Sequence, residues 1–154
     1  MEEEKWSFYI IQNKGATYAG VSPDPIKRLK KHNGEMAGGA IYTKKRGPGW
    51  RHICIISGFN SKIESMQFEW AVKHAGNRRS CGIINRLKKL LIVLHREHWT
   101  SKSPFNDTPL HIKWIEEVDF GKYELPEHVT EDFYECESLE HVEEEEKEET
   151  VESE

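Results

Sequence analysis

The sequence predicts a single domain that combines β-strands with α-helices, and three observations carry this prediction. The chain of 154 residues is long enough for one domain with a real core, but short for two. Several short runs are rich in aromatic and β-branched residues, which is typical of strands. Other segments place apolar residues at helical spacing. The elements follow one another without an internal repeat.

The first predicted element is a β-hairpin. "WSFYIIQ" and "TYAGV" have strand composition, and "NKGA" separates them as a turn. Tyr9 and Tyr18 share a face if they pair directly across the ladder, whereas a one-residue slip places the two phenols on opposite faces. "NKG" also suits a three-residue turn, which gives the slipped register. The turn sequence therefore leaves the register open.

A short helix, a loop and a third strand are predicted next. "SPDPIKRLKKHNG" has Ser22 or Asp24 as a cap, Pro25 in the first turn and Gly34 at the end. "GEMAGGAIYTKKRGPGW" contains too many glycines for regular structure, so we expect a loop. "RHICIISGF" has the composition of a strand.

The second half of the chain is predicted to be mainly helical. In "NSKIESMQFEWAVKH", Ser61 and Glu64 form a capping box, and Ile63, Met66 and Trp70 form an apolar stripe. "GIINRLKKLLIVLHREHW" has apolar residues at helical spacing and predicts another helix. "LHIKWIEEV" alternates between apolar and polar residues, which is typical of an edge strand.

The formal net charge of −5 conceals an uneven distribution. Residues 131–154 contain 13 acidic residues and one lysine, a balance of −12, which leaves +7 on the rest of the chain. Long like-charge runs do not fold. We therefore expect an ordered domain over residues 1–125 and a disordered acidic tail over residues 126–154. A basic domain suits a polyanionic partner, and the tail is expected to compete for the same basic surface.

Several classes of protein are disfavoured by composition. No apolar run approaches the roughly 20 residues of a membrane-spanning helix. The start "MEEEKW" lacks the basic and apolar regions of a signal peptide. We therefore expect an intracellular protein, in the nucleus, the cytoplasm or a viral factory, with no membrane partner. The three cysteines form no CxxC pair, so neither a disulfide framework nor a zinc ribbon is predicted.

The first predicted helix contains candidate catalytic residues. Arg28 and His32 lie four positions apart and therefore share a face. Arg28 could bind a phosphate through its planar set of donors, and His32 could relay or orient a proton near neutral pH. A solvated basic face is the alternative, because Lys27, Lys30 and Lys31 lie on the same helix.

A candidate metal ligand lies on the second predicted helix. Glu69 sits at the margin of the apolar stripe, where a carboxylate is less favourable than in water. It could form an i,i+4 ion pair with Lys73, or it could supply an oxygen to Mg²⁺. In the glycine-rich loop, cations alternate with Tyr42 and Trp50, a pattern that fits backbone contacts and stacking in a nucleic-acid partner.

Four of these features occur in the order found in the GIY-YIG endonuclease superfamily, which the sequence resembles. The motifs are Ser7-Phe8-Tyr9, then Tyr18-Ala19-Gly20, then Arg28 with His32 four residues later, and finally the distal helix residue Glu69. A closer similarity, from Trp6 to Val118, is to the nuclease domain in the catalytic subunit of Slx-type structure-specific endonucleases. The segments that carry it are "RLKKHNGEMAGGAIYTKKRGPGW", "ISGFNSKIESMQFEWAVKH" and "RLKKLLIVLHREHW".

This resemblance implies an α/β fold with a small central antiparallel sheet of about three strands flanked by helices. It also implies metal-dependent hydrolysis of phosphodiester bonds in branched DNA, such as flaps, forks and four-way junctions. Glu69 would bind one Mg²⁺ or Mn²⁺ ion, and Arg28 would stabilise charge on the phosphate. Tyr9, alone or with Tyr18, would help take a proton from the attacking water, and His32 would relay or orient that proton.

Partners follow from the same resemblance. The side chains expected to contact DNA are Lys27, Lys30, Lys31, Lys44, Lys45, Arg46 and Arg51. Slx-type subunits contact a scaffold protein through a RING-like zinc domain, and this sequence has no matching cysteine array. A catalytically degenerate DNA-binding or adaptor module is the alternative, because both tyrosine motifs are imperfect. The presence of both tyrosines, the arginine and the glutamate favours the enzyme.

Overall fold

The computed structural model describes residues 4–77 and 79–133 of the chain. Within these residues the strands are β1 (Ser7–Asn13), β2 (Ala16–Ser22), β3 (Arg51–Ser57), β4 (Leu110–Trp114) and β5 (Val129–Phe133). The helices of the same part are α1 (Pro25–His32), α2 (Ile41–Arg46), α3 (Lys62–His74) and α4 (Ile83–Leu94). None of the helices described here has the length and apolarity needed to cross a bilayer.

The strands form one mixed sheet in the order β2-β1-β3-β4-β5. All neighbours are antiparallel except β4 and β5, which pair in parallel. The α/β class is confirmed, but the expected sheet of about three strands is too small. β4 is not an edge strand, because β5 pairs along its outer side.

The last strand also bears on the expected acidic tail. β5 lies beyond the boundary expected at residue 125. Trp114 and Tyr123 both donate hydrogen bonds to one carboxylate oxygen of Glu131 in this strand, at 2.9 and 2.8 Å. Composition alone favoured disorder here, but these long-range partners satisfy the acidic side chain within the sheet. The remainder of the expected tail, from residue 134 onward, lies outside the described residues.

The hairpin register places both phenols on one face. Lys14 has a positive φ of 56° at the turn, and Asn13 pairs with Ala16. Tyr9 lies opposite Gly20, and Tyr18 lies opposite Ile11. The register therefore differs by two residues from direct pairing of the tyrosines. Because side chains alternate with a period of two, a two-residue difference keeps both on the same face.

Helix α3 packs on the sheet through a face that the sequence did not predict. Its buried residues are Ser65, Phe68, Ala71 and Val72, and the Phe68 ring meets Phe8 of β1 edge-on at a centroid distance of 5.0 Å. The apolar stripe of Ile63, Met66 and Trp70 is exposed instead. Helical spacing shows that a face is apolar but not which face meets the sheet.

The glycine-rich segment is not simply a loop, because it contains α2. The glycines lie on either side of the helix, and the helix itself, "IYTKKR", has none. Its first turn is closed by Lys44 N–H to the Ala40 carbonyl and by the Thr43 hydroxyl to the same carbonyl, at 3.0 and 2.9 Å. Glycine content over the whole segment therefore hid a short helix.

Candidate active site

The sheet and two helices bring the predicted catalytic side chains to one face. Tyr9 comes from β1 and Tyr18 from β2, Arg28 and His32 from α1, and Glu69 from α3. The Tyr18 ring lies 5.1 Å from the His32 ring, centroid to centroid, and the Tyr9 ring lies 5.8 Å from it. Residues separated by up to 60 positions in sequence are therefore neighbours in the fold.

Gly20 allows the Tyr9 ring to lie flat across the hairpin. Tyr9 is buried, and its phenol group passes directly over the glycine on the neighbouring strand. A Cβ atom at Gly20 would lie 2.5 Å from the phenol oxygen, which is closer than non-bonded atoms tolerate. The glycine of the second motif is therefore required by this close approach, and not by a turn.

His32 is fully buried, and both of its ring nitrogens have partners. Nε2 lies 2.7 Å from the Tyr9 hydroxyl, and Nδ1 lies 2.7 Å from the Thr43 hydroxyl. Burial, followed by the charges of Arg28 and His52, lowers the pKa of His32 from 6.5 to about 4. The imidazole is therefore neutral at physiological pH.

Tyr9 is also uncharged, for a related reason. Burial raises the pKa of the phenol above its usual value of 10, and the charges of Tyr18 and Glu69 raise it further. The Arg28 guanidinium opposes this rise, but burial dominates. Tyr9 therefore keeps its proton at neutral pH and is not a ready-made phenolate base. The three groups that affect this phenol, Tyr18, Arg28 and Glu69, are ones that the sequence motifs singled out.

Arg28 is held at the mouth of the site by the segment that precedes α2. Its Nη1 donates a hydrogen bond to the Gly38 carbonyl at 2.6 Å. A Cβ atom at the next residue, Gly39, would collide with the Lys31 carbonyl, so this segment packs directly on α1. Arg28 also lines a cleft of about 680 Å³ together with Trp6, Lys27 and Lys31.

Glu69 and Lys73 form the ion pair that their spacing predicted. Lys73 Nζ lies 3.0 Å from Glu69 Oε1, and the two side chains are 32% and 24% exposed. The same ammonium lies 4.9 Å from the centroid of the Tyr18 ring. The lysine therefore joins the carboxylate to the second tyrosine, and Glu69 faces the site with one oxygen already engaged.

The donors around Glu69 fit only a lightly held metal ion. Among the described residues no group of three or more His, Cys, Asp or Glu side chains could hold a metal. Mg²⁺ commonly keeps several waters and binds through one or two carboxylates plus substrate phosphates. A partly exposed carboxylate that, like Arg28, lies close to Tyr9 fits such an ion if the cation shares its ligands with a bound phosphate.

The basic residues predicted to contact DNA differ in how free they are. Lys27, Lys30 and Lys31 lie on α1, and Lys44, Lys45 and Arg46 lie on α2. The Arg46 guanidinium stacks on the Tyr42 ring, 3.7 Å from its centroid. Arg51 is paired with the Glu116 carboxylate, with Nε 2.8 Å from Oε1, so it is the member of the set that is already neutralised.

Two contributors to the site were missed by sequence reasoning. Thr43 was assigned to a loop, and the contact of Lys73 with Tyr18 depends on the packing of α3 against β2. Only "IYTKKR", a glycine-free run between glycines, signalled that Thr43 lies on a helix. Asn33 also links the end of α1 to the residue before β3. Its carboxamide oxygen accepts from Trp50 N–H at 2.7 Å, and its nitrogen donates to the Trp50 carbonyl at 2.9 Å.

Comparison with known proteins agrees with this geometry. Residues 5–81 match the family model described as the GIY-YIG catalytic domain. The structure-specific endonuclease subunit slx1 of Schizosaccharomyces pombe is 32% identical over 117 residues, which cover 73% of this chain and 43% of that protein. The corresponding subunit of Kluyveromyces lactis is 34% identical over 125 residues, 75% of this chain and 43% of that protein.

A third relative is more similar over a shorter stretch. The slx1 subunit of Schizosaccharomyces japonicus is 41% identical over 75 residues, which cover 47% of this chain and 27% of that protein. The chain thus spans less than half the length of these curated relatives. The family match over residues 5–81 contains Tyr9, Tyr18, Arg28, His32 and Glu69.

Proposed function

The chain belongs to the GIY-YIG family, and on that premise we propose that it is a structure-specific endonuclease that hydrolyses phosphodiester bonds in branched DNA with the help of a divalent metal ion. The observation that carries the proposal is that Tyr18, Arg28 and Glu69 all lie close enough to Tyr9 to affect the pKa of its phenol, with His32 bonded to Tyr9. Branched DNA is supported by the relatives, which are named as structure-specific endonucleases.

Arg28 and Glu69 are assigned to the phosphate. The Arg28 guanidinium has donors beyond the one bound to Gly38, and these would neutralise charge that develops on the scissile phosphate. Glu69 would bind one Mg²⁺ or Mn²⁺ ion, which when bound polarises the phosphate and stabilises the leaving oxygen. Its pairing with Lys73 implies that the lysine shifts when the cation and DNA arrive together.

Tyr9 and His32 are assigned to the attacking water as a pair. Because the phenol keeps its own proton, its oxygen can take a proton from water only while the phenol hydrogen passes to His32 Nε2, 2.7 Å away. The O–H bond of water and the original O–H bond of Tyr9 break, and new O–H and N–H bonds form. Nε2 of the neutral ring accepts that proton only transiently, because burial and the Arg28 charge hold the pKa of His32 at about 4.

DNA binding is assigned to the basic faces of α1 and α2. Lys27 and Lys31 line the cleft that holds Arg28, and exposed Lys44 and Lys45 follow on α2. Such contacts with backbone phosphates position a substrate by its shape and not by its base sequence. Because the relatives are named as subunits, a scaffold protein is proposed as a further partner.

The experiment that tests the proposal uses a labelled flap substrate with and without Mg²⁺ or Mn²⁺. We expect cutting that requires the metal, and we expect Glu69→Gln to abolish cutting while DNA binding survives. Glu97→Gln is the matched control, since this exposed carboxylate lies outside the site. Binding without metal-dependent cutting by the wild-type chain would favour the alternative, a degenerate DNA-binding or adaptor module.

A further inference from the structure

The hydrogen-bond chain behind Tyr9 ends on a residue that none of the sequence motifs contains. It runs from the Tyr9 hydroxyl to His32 Nε2, and from His32 Nδ1 to the Thr43 hydroxyl, each over 2.7 Å. The Thr43 hydroxyl in turn lies 2.9 Å from the Ala40 carbonyl. His32 and Thr43 are both fully buried, so water does not complete or replace these bonds.

Counting hydrogens fixes the direction of every bond in this chain. The Ala40 carbonyl can only accept, so the single hydrogen of the Thr43 hydroxyl is directed to it. The hydroxyl oxygen must then accept from His32, which places the ring hydrogen on Nδ1. A neutral ring protonated at Nδ1 has its lone pair on Nε2, and that lone pair accepts the hydrogen of the Tyr9 phenol.

We propose that Thr43 is a positioning residue for the proposed hydrolysis: it holds His32 in the Nδ1–H tautomer, so that the ring accepts the hydrogen of Tyr9 and leaves an oxygen lone pair of the phenol for the attacking water. This inference rests on the proposed function. In the opposite tautomer His32 would donate to the phenol oxygen and occupy the lone pair that the reaction needs.

The position of Thr43 is set by contacts outside the catalytic residues. Its carbonyl accepts from the Trp50 indole at 3.0 Å and from Gly47 N–H at 2.8 Å. Trp50 is buried, and its backbone is held on both sides by Asn33. The threonine is therefore fixed by the fold and can orient His32 without being oriented by it.

A purely structural role for Thr43 makes a different prediction. A hydroxyl bonded to the carbonyl three residues earlier is a common local contact in helices, and its loss alone would reduce stability without changing the histidine. The ring tautomer separates the two roles. It can be read from the ¹⁵N signals of the imidazole in protein labelled at histidine, with His32 assigned by the signal missing from His32→Gln.

The test compares Thr43→Val, which keeps the shape and removes the hydroxyl, with Thr43→Ser, which keeps the hydroxyl. We expect the Nδ1–H tautomer in the wild type and in Thr43→Ser, and loss of that preference in Thr43→Val. Cutting of a flap by Thr43→Val should fall about tenfold to a hundredfold in kcat with KM and DNA affinity unchanged, and Thr43→Ser should restore it.

The outcomes that would overturn the inference are distinct from those that would overturn the nuclease. An Nε2–H tautomer in the wild type refutes it even if Thr43→Val fails to fold. A folded Thr43→Val that keeps the wild-type tautomer, or cuts at the wild-type rate, also refutes it. If the wild type shows no metal-dependent cutting, the proposed function fails, and the catalytic role of Thr43 fails with it whatever the tautomer is.

Discussion

The two halves of the candidate site differ in how completely the fold has built them. In the buried half, Tyr9, His32 and Thr43 form a hydrogen-bonded chain with a partner for each ring nitrogen and hydroxyl. In the open half, Tyr18 and Glu69 are partly exposed and are joined by the Lys73 ammonium. Under the proposed mechanism, this difference means that the groups for proton transfer are preorganised, whereas the binding of phosphate and cation is completed by the substrate.

The largest effect should come from removing the hydroxyl at the head of the buried chain. Tyr9→Phe leaves His32 Nε2 without its partner at 2.7 Å and removes the oxygen assigned to the attacking water. We expect cutting to fall by about a hundredfold or more and stability to fall by about 1–3 kcal/mol. Single-turnover kinetics and denaturant unfolding measure the two effects.

The matched control for that change is Tyr123→Phe. Its hydroxyl donates to Glu131 at 2.8 Å in the β4–β5 region, so the variant loses a comparable hydrogen bond outside the site. It should lose stability and retain cutting. Equal cutting by Tyr9→Phe and the wild type would mean that the buried half has no role in the chemistry.

The next effect tests whether the buried half depends on close packing. Gly20→Ala adds a methyl group 2.5 Å from the phenol oxygen, so the Tyr9 ring must shift from its present position. Overpacking of this kind costs about 1–3 kcal/mol of stability, and we expect cutting to fall by roughly tenfold because the reacting oxygen is displaced. Gly15→Ala is the control on the same hairpin, because a Cβ atom there meets nothing within 4 Å.

Acid should weaken the buried half through His32. Burial, Arg28 and His52 hold its pKa at about 4 in the folded chain, below its usual 6.5. The unfolded chain therefore binds more protons between these values, and the stability from neutral His32 is complete above pH 6.5 and is lost as the pH falls toward 4.

Unfolding titrations across this pH range measure the effect. The free energy of unfolding should fall more steeply with decreasing pH in the wild type than in His32→Gln. Because His52 is also held below its usual pKa and remains in both proteins, the comparison isolates His32. Identical slopes would show that the buried ring carries no such shift.

The smallest effect is expected in the open half. Lys73→Gln frees the Glu69 oxygen that the ammonium holds at 3.0 Å. An i,i+4 helix pair contributes about 0.3–0.5 kcal/mol, so the Mn²⁺ concentration that gives half-maximal cutting should fall about twofold. Lys62→Gln removes the same charge from the start of α3, where the lysine lies over Trp6, and should leave that concentration unchanged. An equal decrease in both variants would indicate a general charge effect.

The sequence predicted the parts of the site that depend on local spacing. Arg28 and His32 share a face because four residues make one helical turn, and Glu69 pairs with Lys73 for the same reason. Both phenols lie on one face of the hairpin, although "NKG" could not decide the register. The order of these motifs in the sequence was also enough to indicate the family.

The parts that were missed depend on contacts between distant residues. Thr43 reaches His32 across 11 positions, and Arg51, expected to contact DNA, is paired with Glu116 across 65. The exposed stripe of α3 was misassigned because helical spacing shows that a face is apolar but not which face meets the sheet. β5 was assigned to the disordered tail because its acidic composition indicated disorder, whereas its pairing partner, β4, is distant in sequence.

The shortness of α2 has a consequence for redesign. Thr43 faces inward to His32, and the next two residues, Lys44 and Lys45, face solvent. One six-residue helix thus supplies both an anchor for the His32 ring and the two cations proposed to contact DNA. Replacing this helix with another sequence, in order to alter the preferred DNA shape, would also remove the hydroxyl that binds His32 Nδ1. A redesigned helix therefore needs a hydroxyl side chain at the position of Thr43, directed inward to His32.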